Sequence, residues 1–243
     1  MAISLKDKVA VVTGGSRGYG MGIARQLAAQ GVKVWITGRN KQELADVAAA
    51  IGAQALCADV TSPEDWDRVV TTVTEDSGRL DILVNNAGAG VRIAPLSEQS
   101  DAAIAESIAV NLTGAIYGCR RVVPIMQKQQ AGTIINIASV CATHAWPGWS
   151  VYSAAKAGLL QFSKCLYTEM RPHNVRVTCL IPSWGATGFQ QAANISVDDA
   201  AINARKIQAD ELGDIVVHIC TLPSHLVIEQ MTVWPLIQQV EPL

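Results

Sequence analysis

The stretch that decides the fold is Val9-Ala-Val-Val-Thr-Gly-Gly-Ser-Arg-Gly-Tyr-Gly20, close to the start of the chain. Residues 9–13 are almost continuously apolar, which is typical of a strand buried on both faces of a sheet. A glycine-rich turn follows, and apolar residues at helical spacing come after it: Ile23, Ala24, Leu27 and Ala28. A strand, a glycine turn and a helix in this order predict the start of a βαβ unit with parallel strands.

The same alternation continues along the chain. Further strands are predicted at 32–37, 55–58, 80–85, 133–138, 175–181 and 230–235, and helices at 41–51, from 63 with Ser62 as N-cap, at about 100–129 and at 150–171. We therefore predict an α/β protein: a single doubly wound Rossmann-type domain over 1–243, with a parallel sheet of about seven strands and helices on both faces. The segment 184–206 is predicted to cover the substrate.

Composition excludes several classes of protein. The 243 residues are 49% hydrophobic and 16% charged, with a formal net charge of −2, which predicts a large buried core and no surface for nucleic acid or anionic membrane. No signal-peptide pattern and no apolar run of about 18 residues is found, so we expect a cytoplasmic protein. The six cysteines and four histidines are scattered, which predicts reduced thiols and no metal site.

The glycine turn predicts a phosphate-binding site. Gly14 would allow the tight turn, Gly18 would let the backbone approach a pyrophosphate, and Gly20 would allow close helix packing. The first turn of the following helix offers unpaired N–H groups and a partial positive charge to an anion. The alternative is a glycine-rich turn that binds nothing.

Tyr152 and Lys156 are spaced i, i+4 and share one face of the helix predicted at 150–171. A nearby ammonium favours the phenolate and lowers the pKa of a phenol, so Tyr152 can give and take a proton. Ser139 would hydrogen-bond the substrate oxygen. Alternatively, a Tyr-x-x-x-Lys pair is a common feature of amphipathic helices, and a serine after Ile-Ala is a common strand end.

These motifs together resemble those of the classical short-chain dehydrogenase/reductase family. The resemblance covers about 6–187 and rests on Thr13-Gly14-x3-Gly18-x-Gly20, Asp59-Val60, Asn85-Asn-Ala-Gly88, Asn111, Ser139 and Tyr152-x3-Lys156. It implies a nicotinamide cofactor, hydride transfer between that cofactor and a carbonyl or alcohol, and a homo-oligomer, either a tetramer or a dimer.

The resemblance also implies the roles of individual residues. Lys156 would bind the nicotinamide ribose as well as act on Tyr152, and Asn111 would order a water in a proton relay. The remaining cofactor contacts that it implies are Ser16 and Tyr19 in the glycine turn, Asp59 and Val60 at the adenine, and Asn86, Ala87, Gly88, Pro182, Gly185 and Thr187.

Two arginines favour NADP(H) over NAD(H). An acidic residue at the end of the second strand would accept bonds from the adenosine ribose, but Gly38 stands there and Arg39 follows it. Arg17 directly precedes Gly18. A guanidinium pairs with a 2′-phosphate in a fork geometry. The alternative is that both arginines are solvated surface charges.

The chain departs from the family pattern in three places. Ser183 replaces a usual glycine, Gly185 replaces a usual Val or Ile, and Tyr19 replaces a usual Ile or Leu. The C-terminal segment 231–236 lacks the glycine-rich ending common in the family. The cofactor contact at Thr187 is expected to survive these changes.

Several bulky residues are predicted to border the substrate: Cys141, His144, Trp146, Trp149 and Trp184. They suggest a bulky or aromatic substrate, although the indoles are equally compatible with surface or subunit contacts, and His144 with a structural role. Arg92 is expected to face solvent.

The leading hypothesis is therefore an NADPH-dependent carbonyl reductase, or the alcohol dehydrogenase of the reverse direction. A 3-oxoacyl-thioester reductase and a non-catalytic NADP-binding sensor are the alternatives. The complete Ser-Tyr-Lys set favours an enzyme over a sensor.

Overall fold

The computed structural model describes residues 3–88, 92–189 and 199–238. These residues form a seven-stranded sheet with the order β3-β2-β1-β4-β5-β6-β7, in which every neighbouring pair is parallel. The strands are β1 (Val9–Thr13), β2 (Lys33–Gly38), β3 (Gln54–Cys57), β4 (Ile82–Asn85), β5 (Gly132–Ile137), β6 (Val175–Pro182) and β7 (Gln230–Val233). The predicted fold class is confirmed.

The helices are α1 (Gly18–Ala29), α2 (Lys41–Ile51), α3 (Pro63–Ser77), α4 (Asp101–Ile108), α5 (Gly114–Gln129), α6 (Ser150–Met170), α7 (Ala200–Asn203) and α8 (Ala209–Thr221). Side-chain caps fix several of the starts, among them those of α2 and α3: Asn40 accepts from the N–H groups of α2, and Ser62 accepts from that of Asp65 in α3. Residues in the left-handed conformation, Gly52 and Gly78, follow the ends of the same two helices.

The sheet separates two hydrophobic cores. Alternate residues of β1 point in opposite directions, so that Ala10 and Val12 pack under α1, α2 and α8, whereas Val9 and Val11 pack under α3, α5 and α6. All five residues of β1 are buried. Both faces of the strand are covered, which explains why its sequence is apolar throughout rather than alternating.

The topology determines where a ligand can bind. The chain adds β2 and β3 on one side of β1, and β4 to β7 on the other side. In open parallel sheets, ligands bind at such a switch point, beyond the carboxyl ends of the strands. The glycine turn after β1 and the Asn-Asn-Ala-Gly run after β4 both lie at this point, because β1 and β4 are neighbours in the sheet.

The structure corrects some predicted boundaries. The helix predicted at 100–129 is interrupted by a π-helical turn at Ala109–Thr113, and β7 ends at Val233, before Pro235. Helix α8 was not predicted as a separate element. That 1–243 forms one domain stays a prediction.

The helical run 101–129 is, among the described residues, long and apolar enough to match a membrane span, and 28% of its most apolar window is buried. Core helices of water-soluble proteins pass the same test, so this match is weak evidence. The predictions about membrane contact, location and oligomeric state are left untested by the fold.

Candidate active site

The glycine turn brings the start of α1 close to the end of β1. Gly14 and Gly18 have positive φ angles of 64° and 53°, a conformation that favours glycine. A Cβ on Gly20 would lie 2.2 Å from the Gly14 carbonyl oxygen, so this glycine makes the tight turn possible. Gly20 thus allows close packing of the helix start, as predicted, and Gly22 allows close packing against α8, since a Cβ there would lie 2.2 Å from the Ala209 carbonyl oxygen.

The first turn of α1 is open to an anion. Arg17 precedes the helix in an extended conformation and, within the described part of the chain, its side chain makes no capping hydrogen bond. The first N–H groups of a helix have no partner inside the helix, and the helix dipole adds positive charge there. This end of α1 is therefore suited to bind a phosphate.

The loop after β4 is fastened to the glycine turn. The hydroxyl oxygen of Thr13 accepts hydrogen bonds from the backbone N–H groups of Asn86 and Ala87, each at 3.0 Å. The side-chain amide of Asn86 donates to the carbonyl oxygens of Thr13, at 2.9 Å, and of Gly14, at 3.3 Å. These bonds give the switch point a fixed shape before any ligand binds.

A cavity of about 1030 Å³ runs along the carboxyl ends of the strands. It is lined by most of the residues that the sequence predicted for the cofactor, the reaction and the substrate: Gly14, Ser16, Arg17, Gly18, Tyr19, Arg39, Asp59, Val60, Asn86, Ala87, Gly88, Ser139, Cys141, Trp146, Trp149, Tyr152, Lys156, Pro182, Trp184, Gly185 and Thr187. Gly20, Asn111 and His144 are not among its described lining residues. The volume, the glycine cradle and the open helix end fit a dinucleotide.

One end of the cavity carries charged side chains. Arg17 and Arg39 both line it, as does Glu43, which sequence reasoning missed. The Ser16 hydroxyl lies 3.5 Å from a Glu43 carboxylate oxygen. Glu43 is the third residue of α2, and Asn40 caps that helix, so the available signal was the position of this acidic residue in the first helical turn.

Asp59 lies at the same end of the cavity, and its carboxylate is already oriented by local bonds. It accepts hydrogen bonds from the N–H and the hydroxyl of Thr61, both at 2.8 Å. The Asp59 N–H in turn donates to the Asp65 carboxylate at 2.7 Å. This turn fixes Asp59 where the adenine contact was predicted.

Tyr152, Lys156 and Ser139 meet at the middle of the cavity. The Lys156 ammonium donates to the Ile137 carbonyl oxygen at 2.9 Å and lies 5.7 Å from the centroid of the Tyr152 ring. Ser139 follows β5, and its hydroxyl accepts from the Cys141 N–H at 3.2 Å. The end of β5 and one face of α6 thus bring together the three residues that the sequence predicted to act together.

Burial dominates the pKa values of this group. Burial lowers the pKa of Lys156 from 10.5 to about 8. Burial also raises the pKa of Tyr152 above its ordinary value, helped by the nearby Cys141 thiol and opposed by a hydrogen bond from Ser139. In the protein alone the pKa of Tyr152 is therefore raised rather than lowered, because burial disfavours the charged phenolate.

Asn111 lies in the π-helical turn, beneath Gly88. Its side-chain amide donates to the Ser107 carbonyl oxygen at 2.9 Å. A Cβ on Gly88 would lie 3.0 Å from the Asn111 side-chain oxygen and 3.6 Å from the Lys156 nitrogen. The Asn111 side-chain oxygen and the Lys156 nitrogen thus both lie close to Gly88, on the side that a Cβ would occupy.

Aromatic rings surround Tyr152. The Trp149 ring centroid lies 5.7 Å from that of Tyr152, and Phe189 lies 5.6 Å from Tyr152 and 6.3 Å from Trp149. Phe189 was not predicted, although it falls in the segment 184–206 that was expected to cover the substrate. Cys141 and Trp146 belong to the same apolar cluster.

His144 lies outside the cavity, whereas Trp184 lies at its edge and Arg92 faces solvent as expected. His144 packs between Trp146 and Trp234, with centroid distances of 5.9 Å and 5.2 Å, which corrects its predicted place in the substrate pocket. Trp184 is 44% exposed at the cavity edge, with the Lys206 nitrogen 5.9 Å from its ring centroid. Arg92 is exposed and pairs with Glu98 at 3.6 Å.

Comparison with known proteins identifies the family. The sequence profile described as short chain dehydrogenase matches residues 8–197. The chain belongs to the short-chain dehydrogenase family. An uncharacterized oxidoreductase of Staphylococcus saprophyticus is 36% identical over 239 residues, which is 96% of this chain and 99% of that protein. The protein is therefore an oxidoreductase that acts on CH–OH groups, and its family binds nicotinamide cofactors.

Two solved structures of this family are similar over nearly the whole chain. A metagenomic short-chain oxidoreductase in complex with NADP has a TM-score of 0.84 and 31% identity, and the match covers 97% of this chain and 100% of that one. The closed form of a serine dehydrogenase complexed with NADP+ has a TM-score of 0.88 and 29% identity, over 97% of this chain and 98% of that one.

The departures from the usual short-chain dehydrogenase pattern have structural partners. A Cβ on Gly185 would lie 2.1 Å from the Tyr19 hydroxyl oxygen, so the large residue in the glycine turn occupies the space that the small one leaves. Ser183 donates its hydroxyl hydrogen bond to the side-chain oxygen of Gln238, from the C-terminal segment. The loop after β6 therefore takes a path supported by residues distant in sequence.

Proposed function

We propose that this short-chain dehydrogenase uses NADP(H) to interconvert a bulky or aromatic ketone or aldehyde and the corresponding alcohol. The observation that carries the proposal is a single cavity in which Arg17 and Arg39 line one end while Tyr152 and Lys156 line the middle. A charged end and a reactive centre in one continuous space match the phosphate-bearing adenosine and the nicotinamide ring of a dinucleotide cofactor. When bound, the cofactor supplies or accepts the hydride.

The two arginines support the choice of NADP(H). Guanidinium groups bind phosphate through paired hydrogen bonds. The last residue of β2 is Gly38 and not an acidic residue that would bind the ribose hydroxyls. Glu43 opposes the choice, because its carboxylate lines the same end and would repel a 2′-phosphate. Asp59 also lines this end, so two carboxylates face the two guanidinium groups. Because the guanidinium groups alone can donate paired hydrogen bonds to the phosphate, we expect a preference for NADP(H) rather than an absolute requirement.

Tyr152 is the proposed proton donor and acceptor. Because burial raises its pKa, the phenol keeps its proton at neutral pH and can give it to the oxygen of a carbonyl substrate. Ser139, which follows β5, would hold that oxygen by a hydrogen bond. Lys156 remains largely protonated at pH 7, and its charge stabilises the phenolate that the proton transfer leaves.

Asn111 is the proposed support of the proton relay. Its side-chain oxygen and the Lys156 nitrogen both lie close to Gly88. A water held there would return a proton to Tyr152 by way of Lys156. The substrate would occupy the space beside Trp149 and Phe189, whose rings favour an apolar or aromatic group.

The test is the oxidation of NADPH, and in parallel of NADH, against a panel of ketones and aldehydes of increasing size. We expect faster turnover with NADPH and with aryl ketones. Tyr152→Phe should abolish turnover and leave NADPH binding intact, whereas Tyr167→Phe, on the same helix, serves as the matched control.

Other outcomes would contradict the proposal. Turnover with NADH alone would refute the role of the arginines. Tight NADPH binding without turnover on any carbonyl would favour the sensor, and turnover restricted to acyl thioesters would favour the 3-oxoacyl-thioester reductase.

A further inference from the structure

The C-terminal segment 234–238 returns to the cavity. After β7, the Gln238 N–H donates to the Pro235 carbonyl oxygen at 3.0 Å, which turns the chain back. The Gln238 side-chain oxygen then accepts two hydrogen bonds, one from the Ser183 hydroxyl and one, at 3.1 Å, from the Trp184 backbone N–H. A backbone N–H can only donate, so the oxygen of the Gln238 amide must face the loop.

The loop that Gln238 contacts forms one wall of the cavity. Pro182, Gly185 and Thr187 line that wall, and Ile237 and Gln238 line the cavity beside them. β7 holds the beginning of this loop, since the Ser183 N–H donates to the Val233 carbonyl oxygen at 2.9 Å. Gln238 holds the next residue, Trp184, immediately before Gly185.

We propose that Gln238 is a positioning residue, which fixes the loop 182–188 against the nicotinamide end of the cavity through Ser183 and Trp184. The inference rests on the proposed function, because that function makes this loop a cofactor contact. It gives a role to Ser183, which departs from the family pattern, and to Gln238, which follows the altered segment 231–236. Only the side-chain oxygen of Gln238 takes part in these two hydrogen bonds, and it accepts both, so a carboxylate can replace the amide.

The experiment compares two ligands that share the adenosine end and differ at the nicotinamide end. Binding of NADPH and of 2′,5′-ADP is measured by calorimetry for the wild type, Gln238→Ala, Gln238→Glu and Ser183→Ala. Gln30→Ala, at an exposed position at the end of α1, is the matched control. Thermal unfolding of each variant checks that the fold is kept.

We expect Gln238→Ala to weaken NADPH binding by about tenfold, which is what losing two ordinary hydrogen bonds costs, and to leave 2′,5′-ADP binding unchanged. Gln238→Glu should bind NADPH within about twofold of the wild type, because a carboxylate oxygen accepts the same two bonds. Ser183→Ala should weaken NADPH binding as well, and combining it with Gln238→Ala should give less than the sum of the two effects.

Three results would overturn the inference. Unchanged NADPH binding in Gln238→Ala would show that the contact does not position the loop. Equal weakening of NADPH and 2′,5′-ADP would mean a general loss of structure, and Gln238→Glu as weak as Gln238→Ala would exclude the acceptor role. Failure of the proposed function looks different: the wild type itself would bind neither ligand, and the inference would fall with it.

Discussion

Replacing Lys156 with methionine should change how the stability of the ligand-free protein depends on pH. Lys156 is buried, and its ammonium donates to the Ile137 carbonyl oxygen. One hydrogen bond offsets only part of the hydration that a buried ammonium loses. The lysine therefore destabilises the folded state at any pH at which it is protonated.

The size of the effect follows from the two pKa values. The unfolded chain holds the lysine proton up to its ordinary pKa of 10.5, whereas the folded protein releases it near 8. Between these values the unfolded state binds more protons, so the free energy of unfolding increases with pH. The difference between a pKa of 10.5 and one of about 8 corresponds to about 3 kcal/mol. The buried ammonium lowers the free energy of unfolding by this amount at pH 7, and the loss is largely gone at pH 10.5.

Urea unfolding of wild type and Lys156→Met at a series of pH values between 7 and 10.5 measures this directly. The free energy of unfolding of the wild type, minus that of the variant, should rise by about 3 kcal/mol across the range. The difference between the two proteins cancels the titration of other groups. Lys128→Met, which removes an exposed ammonium from α5, controls for the change in net charge. A difference that stays flat, or falls with pH, would refute the burial argument.

Three further changes test the site. Gly185→Val should impair activity, because its Cβ would lie 2.1 Å from the Tyr19 hydroxyl oxygen. Adding Tyr19→Leu should restore activity in the double variant. Equal loss of activity with and without Tyr19→Leu would contradict this pairing. Gly20→Ala should lower the free energy of unfolding by about 1–3 kcal/mol and weaken NADPH binding, because backbone atoms of Gly14 must move; chemical unfolding and calorimetry measure both. Arg39→Asp should lower the ratio of kcat/KM for NADPH to that for NADH by at least tenfold, and an unchanged ratio would remove Arg39 from the cofactor argument.

The elements of the fold could be predicted from sequence because each depends on a local pattern. The buried strands read as apolar runs, as in β1, and the caps of α2 and α3 follow from Asn40 and Ser62. The π-helical turn at Ala109–Thr113 could not be predicted in this way. It adds one residue per turn without a distinctive composition, and its consequence, the placement of Asn111 near Lys156, depends on another element.

The candidate site was predictable where a motif is compact in sequence. Tyr152 and Lys156 lie one helical turn apart, and the glycine turn is continuous. Contacts across the sheet were not predictable, since Glu43 and Phe189 reach the cavity from α2 and from the loop after β6. The prediction for His144 was wrong for a related reason: residues near it in sequence line the cavity, but its own ring packs against Trp234.

Two of the departures from the family pattern, Tyr19 and Gly185, lie on the same wall of the cavity. Tyr19 adds a second buried phenol whose pKa burial raises, and Tyr152 acts in the same direction on it. Two neutral phenols therefore face a cavity in which Lys156 is the central cation. Because Tyr19 needs the space at Gly185, and the loop around Gly185 is in turn held by Gln238, the C-terminal segment and the glycine turn act on the same wall. A change at any one of these positions is therefore expected to alter this wall of the cavity.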